Sequence, residues 1–337
     1  MGSSSDIWRL IQRHRAQVLA RDRATLRHLT REWLKIERVL VQQMNPIAEE
    51  AVRTAATSGL TPEQLRIRAE SLQRQLFARI GEYGETVADI TTAEQRRMIE
   101  LVGSQFESQL AAMGALPSGF NALPVTAMES MVGHVAGGSP IYNYFLSNGL
   151  ADKTMTAIGD ALIKGIALGR NPKVVARLMA DAAGLPHRRA LLIARSEMMR
   201  IMRITSLENY RQSDIVHGWV WLASKSDRTC LACLAKDGSI HPLDEEFNDH
   251  PAGRCGAMPY LPGITPKFQT GREWFEQQPT ETQMAMMGPR RYAAWRGNRF
   301  AFDDLAHPHH SPVFGTHYQE ASLEQAIQNA ARRRALE

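Results

Sequence analysis

The sequence predicts a mainly α-helical chain with a small α+β C-terminal module: long N-terminal helices, a helical middle, a short antiparallel sheet bearing a Cys/His knuckle, and an extended helical tail. Three observations predict it. Apolar residues recur at three- and four-residue spacing through most of the chain up to Gln212. The segment His217 to Ala223 then switches to the aromatic and branched composition of a strand. All three cysteines follow directly, between Cys230 and Cys255. On this pattern the expected regions are 1–114 (helical), 115–185 (helical middle), 186–262 (the α+β module) and 263–337 (tail).

In the first region Leu26, Leu29, Trp33, Ile36 and Leu40 draw one apolar stripe between charged neighbours, so this helix must be covered by another. Pro46 removes a backbone donor and predicts an end or kink near Asn45. Thr61-Pro62 is a restart signal, with Thr61 as N-cap and Pro62 at the first helical position. A second helix is expected to run toward Gly81 and a third from Thr91 through Met113, with an antiparallel hairpin bringing the stripes together. Gly114 to Pro124 and Gly137-Gly138-Ser139-Pro140 are predicted breaks. Asn171-Pro172 starts a further helix, and Pro186 separates it from one spanning His187 to Gln212, whose Leu191, Ala194, Met198, Met202 and Leu207 form a core face.

After the first strand, Ile240-His241-Pro242-Leu243 and Ala257-Met258-Pro259-Tyr260 offer two more, with Asp237-Gly238 as a turn. The tail beyond Pro262 carries Trp274, Phe275, Met284, Met286, Met287, Tyr292, Trp295 and Phe300, too many large apolar groups to stay unpacked. His307, His309 and His310, with His317 downstream, are expected in an exposed loop, because Pro308 interrupts the run.

With 337 residues, the chain can form two or three domains and bury a substantial core. No run of about 18 apolar residues predicts a membrane span. The N-terminus lacks both the order of a secretory signal and the myristoylation pattern, so a reducing cytoplasm is expected. A net charge of +5 permits contact with nucleic acid or acidic protein. The basic residues, however, alternate with acidic ones along helices, as on solvated faces. The tightest basic run, Arg332-Arg333-Arg334, suits a helix C-terminus as well as a phosphate contact.

Cys230, Cys233, His250 and Cys255 are the candidate metal ligands. A Cys-x2-Cys pair places two thiolates at the bite of a tetrahedral Zn²⁺, and the segment His250 to Cys255 can return a nitrogen and a third sulfur. Four protein ligands leave no open position, so such an ion would be structural. Two alternatives use the same residues: reduced structural cysteines with a surface histidine, or a Cys230–Cys233 disulfide, which a non-secreted chain disfavours. A sheet this small gains from a staple, since structural zinc contributes on the order of 10 kcal/mol in peptides.

The order Ala194-Arg195-Ser196-Glu197, Gly218-Trp219-Val220-Trp221, Asp227 through Cys233, Asp237-Gly238 and His250-Pro251-Ala252-Gly253-Arg254-Cys255 resembles the phage Mu F-like head morphogenesis family, the minor head proteins of tailed phages. The resemblance covers roughly Pro186 to Pro262, and Thr270 to Phe275 and Gly288 to Tyr292 look like its continuation. Many members read His-Pro-x-Cys-Arg-Cys; here Gly253 stands at the first of those cysteine positions. The resemblance implies a virion component in several copies at or near the portal vertex, made in the host cytoplasm. Its implied partner is the portal protein, with scaffolding protein, major capsid protein and packaged DNA as further contacts.

Two enzyme classes fit less well. A His-Asn-His nuclease would need further Asn and His ligands after His250, and a zinc deaminase a His-x-Glu and Pro-Cys-x-x-Cys set, whereas Thr229 precedes Cys230. No catalytic residue is therefore assigned. A DNA-binding or DNA-ejection virion protein is the principal alternative.

Overall fold

A computed structural model of the chain describes residues 3–58, 62–114, 130–134, 141, 150–168, 170–311 and 314–336. It is mainly α-helical with a small antiparallel sheet. Helices α1 (Ser4–Ser58) and α2 (Pro62–Ala112) are followed by α3 (Leu150–Ala167), α4 (Pro172–Ala183) and α5 (Leu185–Arg211). Two compact units emerge, one of Arg23–Glu94 and Gly133–Arg195, the other of Met1–Asp22, Gln95–Val132 and Ser196–Glu337. Among the described residues no helix is long and apolar enough to cross a membrane. Thr61, residues 115–124 of the first predicted break and residues 137–140 of the second lie outside the described residues.

Two expected helix ends are absent. Helix α1 continues through Pro46. A proline inside a helix costs about 3 kcal/mol, but Met44, Ala48 and Ala51 are buried on the turns around it, and that burial offsets the lost bond. Helix α2 likewise runs unbroken across Gly81 and Thr91. Its buried positions Ile80, Tyr83, Val87, Thr91, Gln95, Met98 and Val102 keep helical spacing throughout, so packing overrides a glycine cost of about 1 kcal/mol.

In the unit of Arg23–Glu94 and Gly133–Arg195, Leu29, Trp33 and Leu40 of α1 are buried, as the apolar stripe predicts. Trp33 stacks on His187 of α5 with ring centroids 5.6 Å apart, and the Tyr83 hydroxyl lies 2.8 Å from His187 Nδ1. Asn171 caps α4 by accepting from the Lys173 amide at 2.9 Å, with Pro172 in the first turn.

The other unit holds the sheet. Strand β1 (Gly218–Leu222) lies between β2 (Ile240–His241) and β3 (Gly256–Tyr260), antiparallel to both. All five residues of β1 are buried. Gly218 is required by close approach, since a Cβ there would sit 2.5 Å from the His241 carbonyl oxygen. Ile7 and Ile11 of α1, Phe106 and Leu110 of α2, and Leu207 and Tyr210 of α5 cover the sheet. The short helix α6 (Leu231–Lys236) follows β1 and turns two faces to two cores. Cys233 joins the sheet core, while Leu231 and Leu234 join a second core built by the tail.

That tail consists of α7 (Gly271–Glu276), α8 (Thr280–Met287), α9 (Pro289–Arg296), a 3-10 turn (Phe302–Leu305), β4 (Ala306–Ser311), β5 (Gly315–Glu320) and α10 (Leu323–Leu336). Phe275, Met287, Phe300 and Phe302 pack on α6, so the tail's aromatic groups are satisfied within the chain. The histidines expected in a loop instead lie on a β-hairpin, where β4 pairs antiparallel with β5. A two-stranded ribbon has no central strand, so Pro308 is tolerated, and Thr316 and Tyr318 supply strand-favouring partners opposite His310 and Pro308.

Candidate metal centre

Local structure brings three segments together in one cluster. Cys230 is the N-cap of α6, its sulfur accepting from the Cys233 amide at 3.4 Å, so the first turn of the helix sets the two sulfurs side by side. The loop before β3 brings in His250, whose Nε2 lies 3.4 Å from Cys230 Sγ and 3.2 Å from Cys233 Sγ. A tetrahedral zinc at about 2.3 Å from sulfur and 2.1 Å from nitrogen separates such atoms by roughly 3.6 Å. Cys255 enters from the strand edge. The donor atoms of Cys230, Cys233 and His250 all lie within 4.8 Å of one another, as do those of Cys233, Asp249 and Cys255. The cluster could hold a metal ion, and Cys233 belongs to both halves of it.

The histidine is oriented for ligation. Its Nδ1 lies 2.9 Å from the Pro251 carbonyl, which can only accept, so Nδ1 carries hydrogen and Nε2 faces the sulfurs. Hydrogen bonds from Cys233 and His250 pull the Cys230 thiol well below its ordinary value. The same sulfur contact, with Cys255 and burial, pushes Cys233 up. The Cys230 sulfur and the nearby Asp249 carboxylate raise His250, so a metal would displace a proton from Nε2 on binding.

Asp249 was not among the predicted ligands, and its role is plain in the geometry. Oδ1 accepts from the His250 amide at 2.9 Å and from the Cys233 thiol at 3.6 Å. Oδ2 accepts from Arg203 at 2.6 Å and from the Cys255 amide at 3.1 Å. Both oxygens are committed to holding the cluster together. Arg203, reaching from α5, also donates to the carbonyls of Cys255 and Gly253, at 3.1 and 2.8 Å. The Asp249 side chain is 1% exposed and that of Arg203 7%, so this is a buried pair with its hydrogen bonds satisfied. Arg15 of α1 ties down the other side, donating to the carbonyls of Ala223 and Arg254 at 2.8 and 3.1 Å. In sequence, the only hint of Asp249 was its position beside His250; nothing marked Arg203, 46 residues away.

Gly253 has a physical reason to lack a side chain. A Cβ there would lie 2.1 Å from Asp249 Oδ2 and 2.3 Å from its Cγ. A cysteine at 253 and the carboxylate of Asp249 in this position exclude one another. Arg254, for its part, contributes its carbonyl to Arg15.

No curated protein and no solved structure matches the chain. Residues 156–259, which run from α3 through the knuckle to β3, match the family model described as Phage Mu protein F like protein. The matched segment contains all four predicted ligands together with Arg203, Asp249 and Gly253, and it begins about 30 residues ahead of the motifs read from the sequence. Over this segment the chain is similar to the phage Mu F-like family, as the resemblance read from the sequence implies.

Proposed function

We propose that the chain is a structural minor head protein of phage head morphogenesis, docking at or near the portal inside the capsid. Its module is fastened by a zinc ion on Cys230, Cys233, His250 and Cys255. The observation that carries this is a metal-capable knuckle lying wholly within the segment that matches the phage Mu F-like family. Three sulfurs and one imidazole fill a tetrahedral zinc and leave no position for water, so the ion serves the fold and no substrate is turned over. Asp249, with its oxygens already engaged, positions the ligands rather than replacing one. The chain works by fitting into a larger particle in several copies, with the portal protein as its main partner and scaffolding or capsid protein as neighbours.

Crosslinking in assembled particles tests the docking: adducts between the helices and the portal are expected, and recovery of the chain only as free cytoplasmic protein overturns it. Bound zinc tests the knuckle. About one zinc per chain is expected in the wild type and almost none after Cys230→Ser with Cys233→Ser; equal zinc in both refutes the ligand assignment.

A second reading, contact with packaged DNA, is favoured by one face of α1. Its exposed positions between residues 23 and 38 are Arg23, Ala24, Arg27, His28, Arg31, Leu34, Lys35 and Arg38, with no carboxylate among them. Arginines at helical spacing suit phosphate contact. Affinity for duplex DNA that falls steeply with salt in the wild type, and less steeply after Arg27→Ala with Arg31→Ala, supports that contact; a flat salt response rejects it.

A further inference from the structure

We propose that the β4–β5 hairpin is a second metal site, an open one for a borderline divalent transition ion such as Ni²⁺, Cu²⁺ or Zn²⁺, built on His309 and His317. The two are directly opposed across the ribbon, and their rings lie 5.2 Å apart at 72°. Two imidazoles bound to one ion at about 2.1 Å and a tetrahedral angle put their centroids roughly 5 Å apart. Edge-to-face packing gives a similar spacing, so the tautomers decide between the two. His317 is 5% exposed, and its Nδ1 lies 3.1 Å from the Gly315 carbonyl, an acceptor only. Its hydrogen is therefore on Nδ1, and Nε2 holds an available lone pair. That is how the Pro251 carbonyl orients His250 in the knuckle.

His307 extends the same face. Side chains alternate along a strand, which places His307 and His309 with His317 and Gln319 on one side and His310 on the other. The Asn329 amide nitrogen donates to the carbonyls of Asp304 and Ala306 at 2.9 and 3.4 Å, so its oxygen is the acceptor for His307 Nδ1 at 3.3 Å. His307 Nε2 is thereby also left as an acceptor. The face thus offers a His-x-His pair and a cross-strand histidine with no carboxylate, a donor set for borderline metals rather than for Mg²⁺ or Ca²⁺. With two or three protein nitrogens, coordination positions stay open to solvent or to a donor from a neighbouring chain. The knuckle's proposed ligands are all supplied by residues 230–255 and share none with the hairpin, although His317 lies near enough to His250 and Asp249 to feel their charges, and the Tyr318 amide donates to the Asn248 carbonyl at 3.0 Å.

Ni²⁺ titrated calorimetrically into the full-length chain tests it. His309 is exposed and makes no hydrogen bond among the described residues, so His309→Ala should melt like the wild type. It is expected to weaken Ni²⁺ binding by roughly tenfold or more, whereas His310→Ala, on the opposite face, leaves it unchanged. Paramagnetic broadening of imidazole NMR signals should strike His309 and His317 before His310. Equal binding by His309→Ala and the wild type overturns the proposal, as does an equal loss in His310→Ala, which would mark unspecific histidine binding. Because the readout is the difference between hairpin variants that all keep Cys230, Cys233, His250 and Cys255, a failed zinc assignment at the knuckle and a failed hairpin site give different results.

Discussion

Gly253→Ala isolates the organising role of Asp249. The new Cβ would start 2.1 Å from Oδ2, 2.3 Å from Cγ and 2.5 Å from Oδ1. A relaxed carbon–oxygen contact needs about 3.3 Å, so the carboxylate must retreat by about 1 Å. It is not free to swing, because four donors hold it. Retreat stretches the 2.6 Å bond from Arg203 and the 3.1 Å bond from the Cys255 amide, and leaves a guanidinium with little solvent to compensate it. Uncompensated buried charges cost about 3–5 kcal/mol, and partial relaxation places the expected loss near the lower end, about 3 kcal/mol. Urea unfolding followed by near-ultraviolet circular dichroism of the buried Trp219 and Trp221 reads this unit directly. In an Asp249→Ala background the same glycine substitution meets no carboxylate and should be nearly neutral, so the two changes should be strongly non-additive. A Gly253→Ala protein within about 0.5 kcal/mol of the wild type, or an additive double variant, would refute the role given to Asp249.

Arg203→Met should destabilise the same unit by about 3–5 kcal/mol by stranding the Asp249 charge, while Arg203→Met with Asp249→Leu recovers much of the loss; urea midpoints of the three proteins check this. Phe302→Ala should cost about 3–5 kcal/mol, since Phe302 is fully buried between Phe275 and Trp295, and limited proteolysis should then release the tail before the sheet unfolds. His187 makes the other unit sensitive to acid. Burial and then Arg188 hold its pKa below the ordinary 6.5, so the unfolded chain takes up the proton more readily. Its contribution to stability is complete above pH 6.5 and declines as pH falls through 6.5 toward the lower folded value. Thermal melts from pH 8 to pH 5 should show that decline, and His187→Gln should flatten it.

The long helices could be read from the sequence because packing followed one period. Leu29, Trp33 and Leu40 were found by spacing alone, and Asn171-Pro172 marked a real cap. The strands around Trp219 and Met258 were equally visible in composition. Where local propensity opposed tertiary burial the expected helix ends did not form: α1 does not end at Pro46, and α2 has no break between Gly81 and Thr91. The histidine hairpin was missed because Pro308 argues locally against a strand, and only pairing with β5 outweighs it. At the knuckle, the structure brings Cys230, Cys233 and His250 together and sets Cys255 beside Cys233 and Asp249. The supporting pair escaped notice because an arginine on a helix and an aspartate in a distant loop carry no joint signal until the chain folds.

Helix α6 has only six residues, yet its Cys230 and Cys233 face the knuckle while Leu231 and Leu234 face Phe275 and Phe302. It acts as a shared wall between a polar, ion-ready chamber and a greasy one. Glu320 at the end of the hairpin reinforces the wall by accepting from the Leu231 amide at 3.1 Å. Loosening either chamber must therefore be felt in the other, so cutting away the last 75 residues would disturb the cysteines as surely as removing a ligand.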